Sequence, residues 1–190
     1  MGADSAPRLV AFLRAINVGG HVITMDRLRQ IVEGAGLAGV ATYIASGNVL
    51  FDAPRGLKVF APLERKIAAA LHKGLGYEVA TFIRTAGEVS EAAAKVPFTK
   101  REVEGFAALS VAFLAAPLGV SQKKALAGLV TEVDQLKPQG REIYWGCRVK
   151  QSDSKFSNAV LERKLGVEAT FRSIKTVRAV AERLARSVGL

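Results

Sequence analysis

The sequence predicts an α+β protein made of two tandem domains, each with the element order β-α-β-β-α-β. Three observations predict this class. Apolar runs of strand length alternate with amphipathic helix patterns. The elements follow the same order in both halves, and short strings of residues recur at matching steps of that order.

The first strand and helix are indicated by hydrophobic spacing. The run at 8–15 is mostly apolar and has the length of a strand. The segment after it has apolar residues at the i, i+3, i+4 and i+7 positions of an amphipathic helix, namely Leu28, Ile31, Val32 and Ala35. Thr24 is the predicted N-cap of this helix and Gly36 its C′ residue.

The rest of the first half completes the order. Two strands are predicted within 40–53, around a Ser46-Gly47-Asn48 turn. A helix pattern follows Pro62 and ends near Gly76. A strand at 77–85 comes next, and a short helix pattern leads out of it.

The second half repeats the plan. Its predicted elements are a strand at 106–116, a helix at 121–133, a hairpin at 134–149 around Pro138-Gln139-Gly140, a helix at 156–166, a strand at 167–173 and a helix at 174–188. This repeated order is that of the ferredoxin-like fold. We therefore expect two duplicated ferredoxin-like domains with extra helices, spanning 1–95 and 96–190, joined through a linker near 96–105.

Two string matches support the duplication. Residues 10–15 agree with 111–116 at five of six positions, and 75–82 match 165–171 with one gap. Each match falls at the same step of the predicted order, which favours an internal repeat.

Composition limits the functional classes. The net charge is +10, divided as +3 over 1–95 and +7 over 96–190, which suits an anionic partner. No apolar run approaches the ~20 residues of a membrane span, so no membrane partner is expected. Cys147 is the only cysteine, which favours the reducing cytoplasm and excludes an intrachain disulfide. One cysteine and two separated histidines predict no metal site, and no cofactor motif is present.

Two polar loops of the first domain are predicted to meet. In a 4-1-3-2 sheet, the end of strand 1 lies beside the start of strand 3, next to the N-terminus of the first helix, which favours an anion. The candidate ligand-binding residues there are Arg14, Asn17, Gly19, Gly20, His21, Ser46 and Asn48. The second domain has "AAPLGVS" and "PQG" at the matching steps, so the fold itself does not require these residues.

Three alternatives to this small-anion site stay open. In the first, the glycines only form a tight turn, Asn48 bonds its own hairpin and Arg14 pairs with a carboxylate such as Asp52. In the second, the basic second domain binds nucleic acid or a second anion through Lys150, Lys155, Asn158, Arg172 and Lys175. In the third, the protein is a small transferase or hydrolase that uses His21, or an interaction module without a ligand. The oligomeric state is left open.

Several separated motifs resemble one bacterial family. The strings "LRAINVGG", "TYIASGNVLF", "GREIYW" and "LERKLGVEAT" occur in the order found in the family called domain of unknown function 1697. The resemblance implies a duplicated ferredoxin-like architecture and no assigned activity. The family signature has Gly at the position of Ala15, and Asn-Trp-Asn at the positions of Ser173, Ile174 and Lys175. The second departure removes an aromatic contact and puts any role of that segment in doubt.

Overall fold

The computed structural model describes residues 7–17, Gly20 and 22–186. Over these residues the protein is α+β, with two four-stranded antiparallel sheets and seven α-helices. The chain divides into two compact units. The first unit is Met1–Ser90 with Ala179–Leu190, and the second is Glu91–Arg178. The predicted division into 1–95 and 96–190 stays a prediction.

The first unit contains one sheet with the strand order β2-β3-β1-β4. Its elements are β1 Arg8–Leu13, α1 Met25–Gly34, β2 Ala41–Tyr43, β3 Asn48–Asp52, α2 Ala61–Leu75, β4 Thr81–Thr85 and the start of α3 Ala86–Ala94. Neighbouring strands are antiparallel, and Phe12 at the end of β1 faces Asn48 at the start of β3. This register places the loop after β1 beside the turn between β2 and β3.

Helix α1 begins and ends where its sequence predicts. The Thr24 hydroxyl accepts a hydrogen bond from the Arg27 N–H at 3.2 Å, so the predicted N-cap is confirmed. Gly36 has φ +81°, the left-handed conformation that ends many helices. The apolar face of α1 is buried in a core with α2 and one face of the sheet, and this core includes Leu28, Ile31, Val32, Leu63, Ile67 and Leu71.

The second unit contains a sheet with the strand order β6-β7-β5-β8. Its elements are the end of α3, α4 Lys100–Glu104, β5 Ala108–Leu114, α5 Val120–Ala127, β6 Asp134–Gln139, β7 Glu142–Cys147, a 3₁₀ turn Gln151–Asp153, α6 Asn158–Leu165, β8 Ala169–Ser173 and the start of α7 Ile174–Arg186. Helix α7 enters the first unit at Ala179.

A buried carboxylate anchors the core of the second unit. Asp134 accepts hydrogen bonds from the Trp145 indole at 2.9 Å and from the Ser154 hydroxyl at 2.8 Å. The Trp145 ring lies edge-on to Phe156 and Phe171, with centroids 4.8 and 5.7 Å away. The network ties the hairpin to the loop before α6, because a buried carboxylate requires hydrogen-bond partners.

One predicted helix boundary of the second half is wrong, and a further helix lies in the predicted linker. Helix α5 ends at Ala127 and does not reach 133, because Gly128 caps it and Thr131 accepts the Asp134 N–H at 2.9 Å in a new turn. The predicted linker at 96–105 holds helix α4, which a capping box between Thr99 and Glu102 starts.

The second hairpin turns later than predicted. The turn is Gly140-Arg141, since Gln139 and Glu142 are the last paired residues. Pro138 therefore lies inside β6, opposite Ile143. A proline is tolerated there because β6 is an edge strand.

Candidate functional site

The loop after β1 and the turn after β2 lie side by side in the first unit. The Leu13 N–H donates to the Gly47 carbonyl at 2.8 Å, and the Asn17 amide donates to the Ala45 carbonyl at 2.6 Å. We call this region the loop edge, and define it as residues 14–17, Gly20 and 44–48. Gly19 and His21, which the sequence also places there, lie outside the described residues.

Asn17 holds the loop edge together with both ends of its amide. Besides its bond to the turn, its oxygen accepts the Ile23 N–H at 2.9 Å, just before α1. The Tyr77 hydroxyl donates to the Ile16 carbonyl at 2.8 Å, and burial raises the pKa of Tyr77. The tyrosine therefore stays protonated at neutral pH, and both side chains shape the loop.

Asn48 and Ser46 have different environments. Asn48 is fully buried and donates to the Tyr43 carbonyl at 2.8 Å and the Ser46 hydroxyl at 3.1 Å. Its amide thus closes its own hairpin, while Ser46 is exposed at the rim. Both were predicted site residues, and only Ser46 faces solvent.

Arg14 is half-buried at the start of the loop, where its N–H donates to the Ala80 carbonyl at 2.9 Å. Asp52, the acid considered as its partner from the sequence, is bonded instead to Arg8 at 2.8 Å. That interpretation of Asp52 is wrong because Arg8 and Asp52 face each other across β1 and β3.

The loop edge has unusual backbone conformations. Across the described residues, the non-glycine residues with positive φ are Ala15 at 57° and Ile44 at 50°. Both belong to the loop edge, as do Gly20 at 85° and Gly47 at 78°. This conformation is rare for a β-branched residue such as Ile44, and such outliers cluster at functional sites.

An open cavity of about 340 Å³ lies next to the loop edge, at the start of α1. Its lining residues are Val22, Ile23, Thr24, Arg27, Gly74, Leu75 and Tyr77. Arg27 supplies the cavity with a guanidinium group and Thr24 with a hydroxyl. Sequence reasoning missed Arg27 and Tyr77, although the position of Arg27 in the first turn of an N-capped helix was a usable signal.

The second group of candidates is divided between surface and interior. Lys150, Lys155 and Lys175 are exposed. Asn158 donates to the Ala169 carbonyl at 3.1 Å. Arg172 is only 5% exposed and donates to the Thr170 hydroxyl and the Phe171 carbonyl, both at 2.8 Å.

Burial lowers the pKa of Arg172 to about 10, which leaves it charged at neutral pH. Its guanidinium is nevertheless turned into the unit's own sheet. Of this group, the three lysines are thus the side chains that a large anionic partner can reach directly.

The remaining groups to consider are the Cys147 thiol and the side chains that could bind a metal ion. Cys147 is buried, and burial raises the pKa of its thiol, so the reactive thiolate is disfavoured. Among the described residues, no three His, Cys, Asp or Glu side chains are grouped to hold a metal ion. Within the same residues, no helix has the length and apolar character needed to cross a membrane.

Comparison with known proteins identifies a family and a fold. The family described as "Protein of unknown function (DUF1697)" matches residues 7–144. A solved structure described as that of the conserved bacterial protein SP0830 from Streptococcus pneumoniae is 24% identical, with a TM-score of 0.71. The alignment covers 94% of this chain and 98% of that one. No curated protein matches the sequence.

Proposed function

The chain belongs to the DUF1697 family of proteins of unknown function, and from that premise we propose that its first unit binds a small anionic or phosphorylated ligand. The ligand enters the cavity of about 340 Å³ that is lined by the first turn of α1, the end of α2 and Tyr77. The observation that carries the proposal is the presence of Arg27 in the wall of this cavity, beside the N-terminus of a ten-residue helix.

The chemistry of this cavity favours an anion. The first N–H groups of a helix and its dipole attract negative charge, and a nearby guanidinium adds charge-assisted hydrogen bonds. Asp26 in the same turn is exposed and lies 3.3 Å from Arg29, which offsets its repulsion. Asn17 fixes the wall of the cavity through its bond to the Ile23 N–H, whereas Arg14 and Ser46 belong to the loop edge and do not line the cavity.

An arginine variant and a matched control test the proposal. Binding of inorganic phosphate, sulfate and glycerol 3-phosphate is measured by calorimetry with the wild type, Arg27→Gln and Arg65→Gln. We expect Arg27→Gln to weaken the binding of the phosphate probes by about tenfold, since a hydrogen bond to a charged group contributes about 1.5–3 kcal/mol.

Arg65→Gln is the matched control, because it removes the same charge from an exposed position on α2 outside the cavity lining. Binding that both variants weaken equally reflects overall charge and contradicts the site. The proposal also fails if the wild type shows no heat of binding with any of the three probes.

A second candidate function is nucleic-acid binding by the second unit. The observation that favours it is the exposure of Lys150, Lys155 and Lys175. Phosphate contacts of this kind give an affinity that falls steeply with salt concentration. An oligonucleotide that binds with such a salt dependence, and less tightly to a variant with all three lysines changed to Gln, would favour this function over the small-ligand site.

We further propose that the units are ferredoxin-like copies produced by duplication. The register supports this, because Val10 faces the buried Arg84 and Val111 faces the buried Arg172. In both units the next residue, Thr85 or Ser173, accepts the N–H three residues later and caps a helix. In this register Arg84 corresponds to Arg172. The string match of 75–82 with 165–171 instead aligns Phe82 with Phe171, so the register differs from the string match by one residue at its end.

A cytoplasmic location is also proposed, on the free thiol of Cys147.

A further inference from the structure

The first unit has a second cavity, which is rich in arginine. It has a volume of about 250 Å³ and is lined by Arg8, Ala41, Thr42, Tyr43, Leu50, Arg183 and Arg186. These residues include three arginines and no carboxylate. We call it the arginine groove, and we propose that it binds the phosphate group of a small phosphate ester.

The floor of the arginine groove is one face of the sheet. Ala41 faces Leu50 across β2 and β3, and Arg8 faces Asp52 across β1 and β3. Residues opposite each other in antiparallel strands point to the same side, so Arg8, Ala41 and Leu50 share a face with Tyr43. This face is the one opposite α1 and α2, whose core contains Leu9 and Val49.

Two of the arginines are held in defined positions. The Arg183 guanidinium carbon lies 4.1 Å from the centre of the Tyr43 ring, which is a close cation–π contact. This contact fixes the position of the Arg183 guanidinium on the wall of the groove. Arg8 is bonded to Asp52 at 2.8 Å, and its buried Nε has no hydrogen-bond partner in the described structure.

Arg186 completes the arrangement from the last turn of α7. It follows Arg183 by three residues and so lies on the same side of the helix. Its nearest carboxylate oxygen, on Glu182, is 3.9 Å away, a loose and exposed pair. The helix dipole favours arginines in a last turn. The dipole does not explain why Arg183 and Arg186 line the same cavity as Arg8 and Tyr43.

The charge and size of the groove select the ligand class. A phosphate monoester carries about −1.5 to −2 charges and three acceptor oxygens, which matches several converging guanidinium groups better than a carboxylate does. The volume of about 250 Å³ suits one phosphate with a short carbon skeleton. A nucleic-acid backbone presents phosphates in a row, whereas these arginines cluster around a single cavity.

The test compares probes and variants. Glycerol 3-phosphate, glycerate and inorganic phosphate are titrated by NMR and calorimetry into the Arg27→Gln protein, which separates this groove from the cavity at α1. We expect shifts of the Tyr43 ring signals with glycerol 3-phosphate and weaker binding of glycerate. The double variant Arg183→Gln/Arg186→Gln should bind glycerol 3-phosphate at least about tenfold more weakly.

Two further variants keep the proposal falsifiable. Tyr43→Leu retains all three charges but removes the stacking surface, and should weaken binding by about threefold. Arg65→Gln, an exposed arginine on α2 outside the lining, should leave binding unchanged. The proposal is overturned if Arg65→Gln weakens binding as much as the double variant does, or if glycerate binds as tightly as glycerol 3-phosphate.

An oligonucleotide without a terminal phosphate is the remaining arm of the test. If it binds the groove more tightly than glycerol 3-phosphate, and the double variant abolishes that binding, the partner is a nucleic-acid strand and the small-ester proposal is wrong. Circular dichroism of each variant checks that the fold is retained.

Discussion

The two units make the same strand connection in two different ways. In each, the last residue of the first strand donates its N–H to a turn carbonyl, from Leu13 to Gly47 at 2.8 Å and from Leu114 to Arg141 at 2.9 Å. The second unit then reaches its helix through residues 115–119, which are all described and have no positive φ. The first unit uses a longer loop that includes Ala15 at φ 57°. The sheet itself therefore does not require the strained connection.

The hairpin turns of the two units also differ, and again the first unit has a non-glycine residue with positive φ. The second unit turns in two residues, with Gly140 at φ 59° in the first position, which a tight hairpin favours. The first unit turns over 44–47 and has Ile44 at φ 50°. The Ile44 side chain is 43% exposed, so burial does not offset its strain. Strain without a packing benefit points to a function of the loop edge.

The largest predicted effect tests whether the two turns are equivalent. Gly47→Ala places a methyl group 2.7 Å from Ile16 Cγ2 and 3.0 Å from Leu13 Cβ, at φ +78°. Overpacking and the left-handed backbone together should reduce the free energy of unfolding by about 3 kcal/mol. Urea denaturation measures the change.

The control for Gly47 is its counterpart in the second unit. Arg141→Ala keeps a Cβ atom where one already exists, so its effect should stay below about 1 kcal/mol. Equal losses in the two variants would show that the turns are under the same constraint, and the contrast between the units would then disappear.

Local features of the fold could be predicted from the sequence. The Thr24 cap, the buried face of α1 and the Gly36 terminus all follow from side chains within a few turns of each other. Helix α4 was missed, although Thr99 and Glu102 have the spacing of a capping box. Its five residues lack a periodic apolar face, which is the pattern the prediction relied on.

The candidate sites depend on contacts that no local pattern contains. The partner of Asp52 follows from the register of β1 with β3, which pairs it with Arg8. The contact of Arg183 with Tyr43 joins residues 140 positions apart. Sequence reasoning could place two loops at one sheet edge because topology alone determines that. It could not determine which side chains were already used to hold the loops.

A smaller and opposite effect is expected at Ala15. Because its φ of 57° suits glycine, Ala15→Gly should increase the free energy of unfolding by about 1 kcal/mol. Ala116 occupies the matching position two residues after Leu114 and lies outside the left-handed region. Ala116→Gly should therefore destabilise the protein by about 0.5–1 kcal/mol. Thermal unfolding of both variants measures the sign of each change in the free energy of unfolding. If both variants change stability in the same direction, the two positions do not differ in strain.

The smallest expected effect concerns Glu102, an acid of the second unit that also pairs with a lysine. The Thr99 N–H and hydroxyl and the Lys137 ammonium hold the pKa of Glu102 at about 2, below its ordinary 4.5. The unfolded chain then takes up this proton before the folded one does, so the stabilisation is complete above pH 4.5 and is lost as the pH falls towards 2.

Glu102→Gln should therefore have a lower melting temperature than the wild type at pH 7, and the difference should shrink between pH 4.5 and 2. The pair with Lys137 at 3.0 Å is partly exposed, so salt should reduce the difference at pH 7 as well. A difference in melting temperature that stays constant across this pH range would mean that the Glu102 charge does not contribute to stability. The capping hydrogen bonds alone would then hold α4 in place.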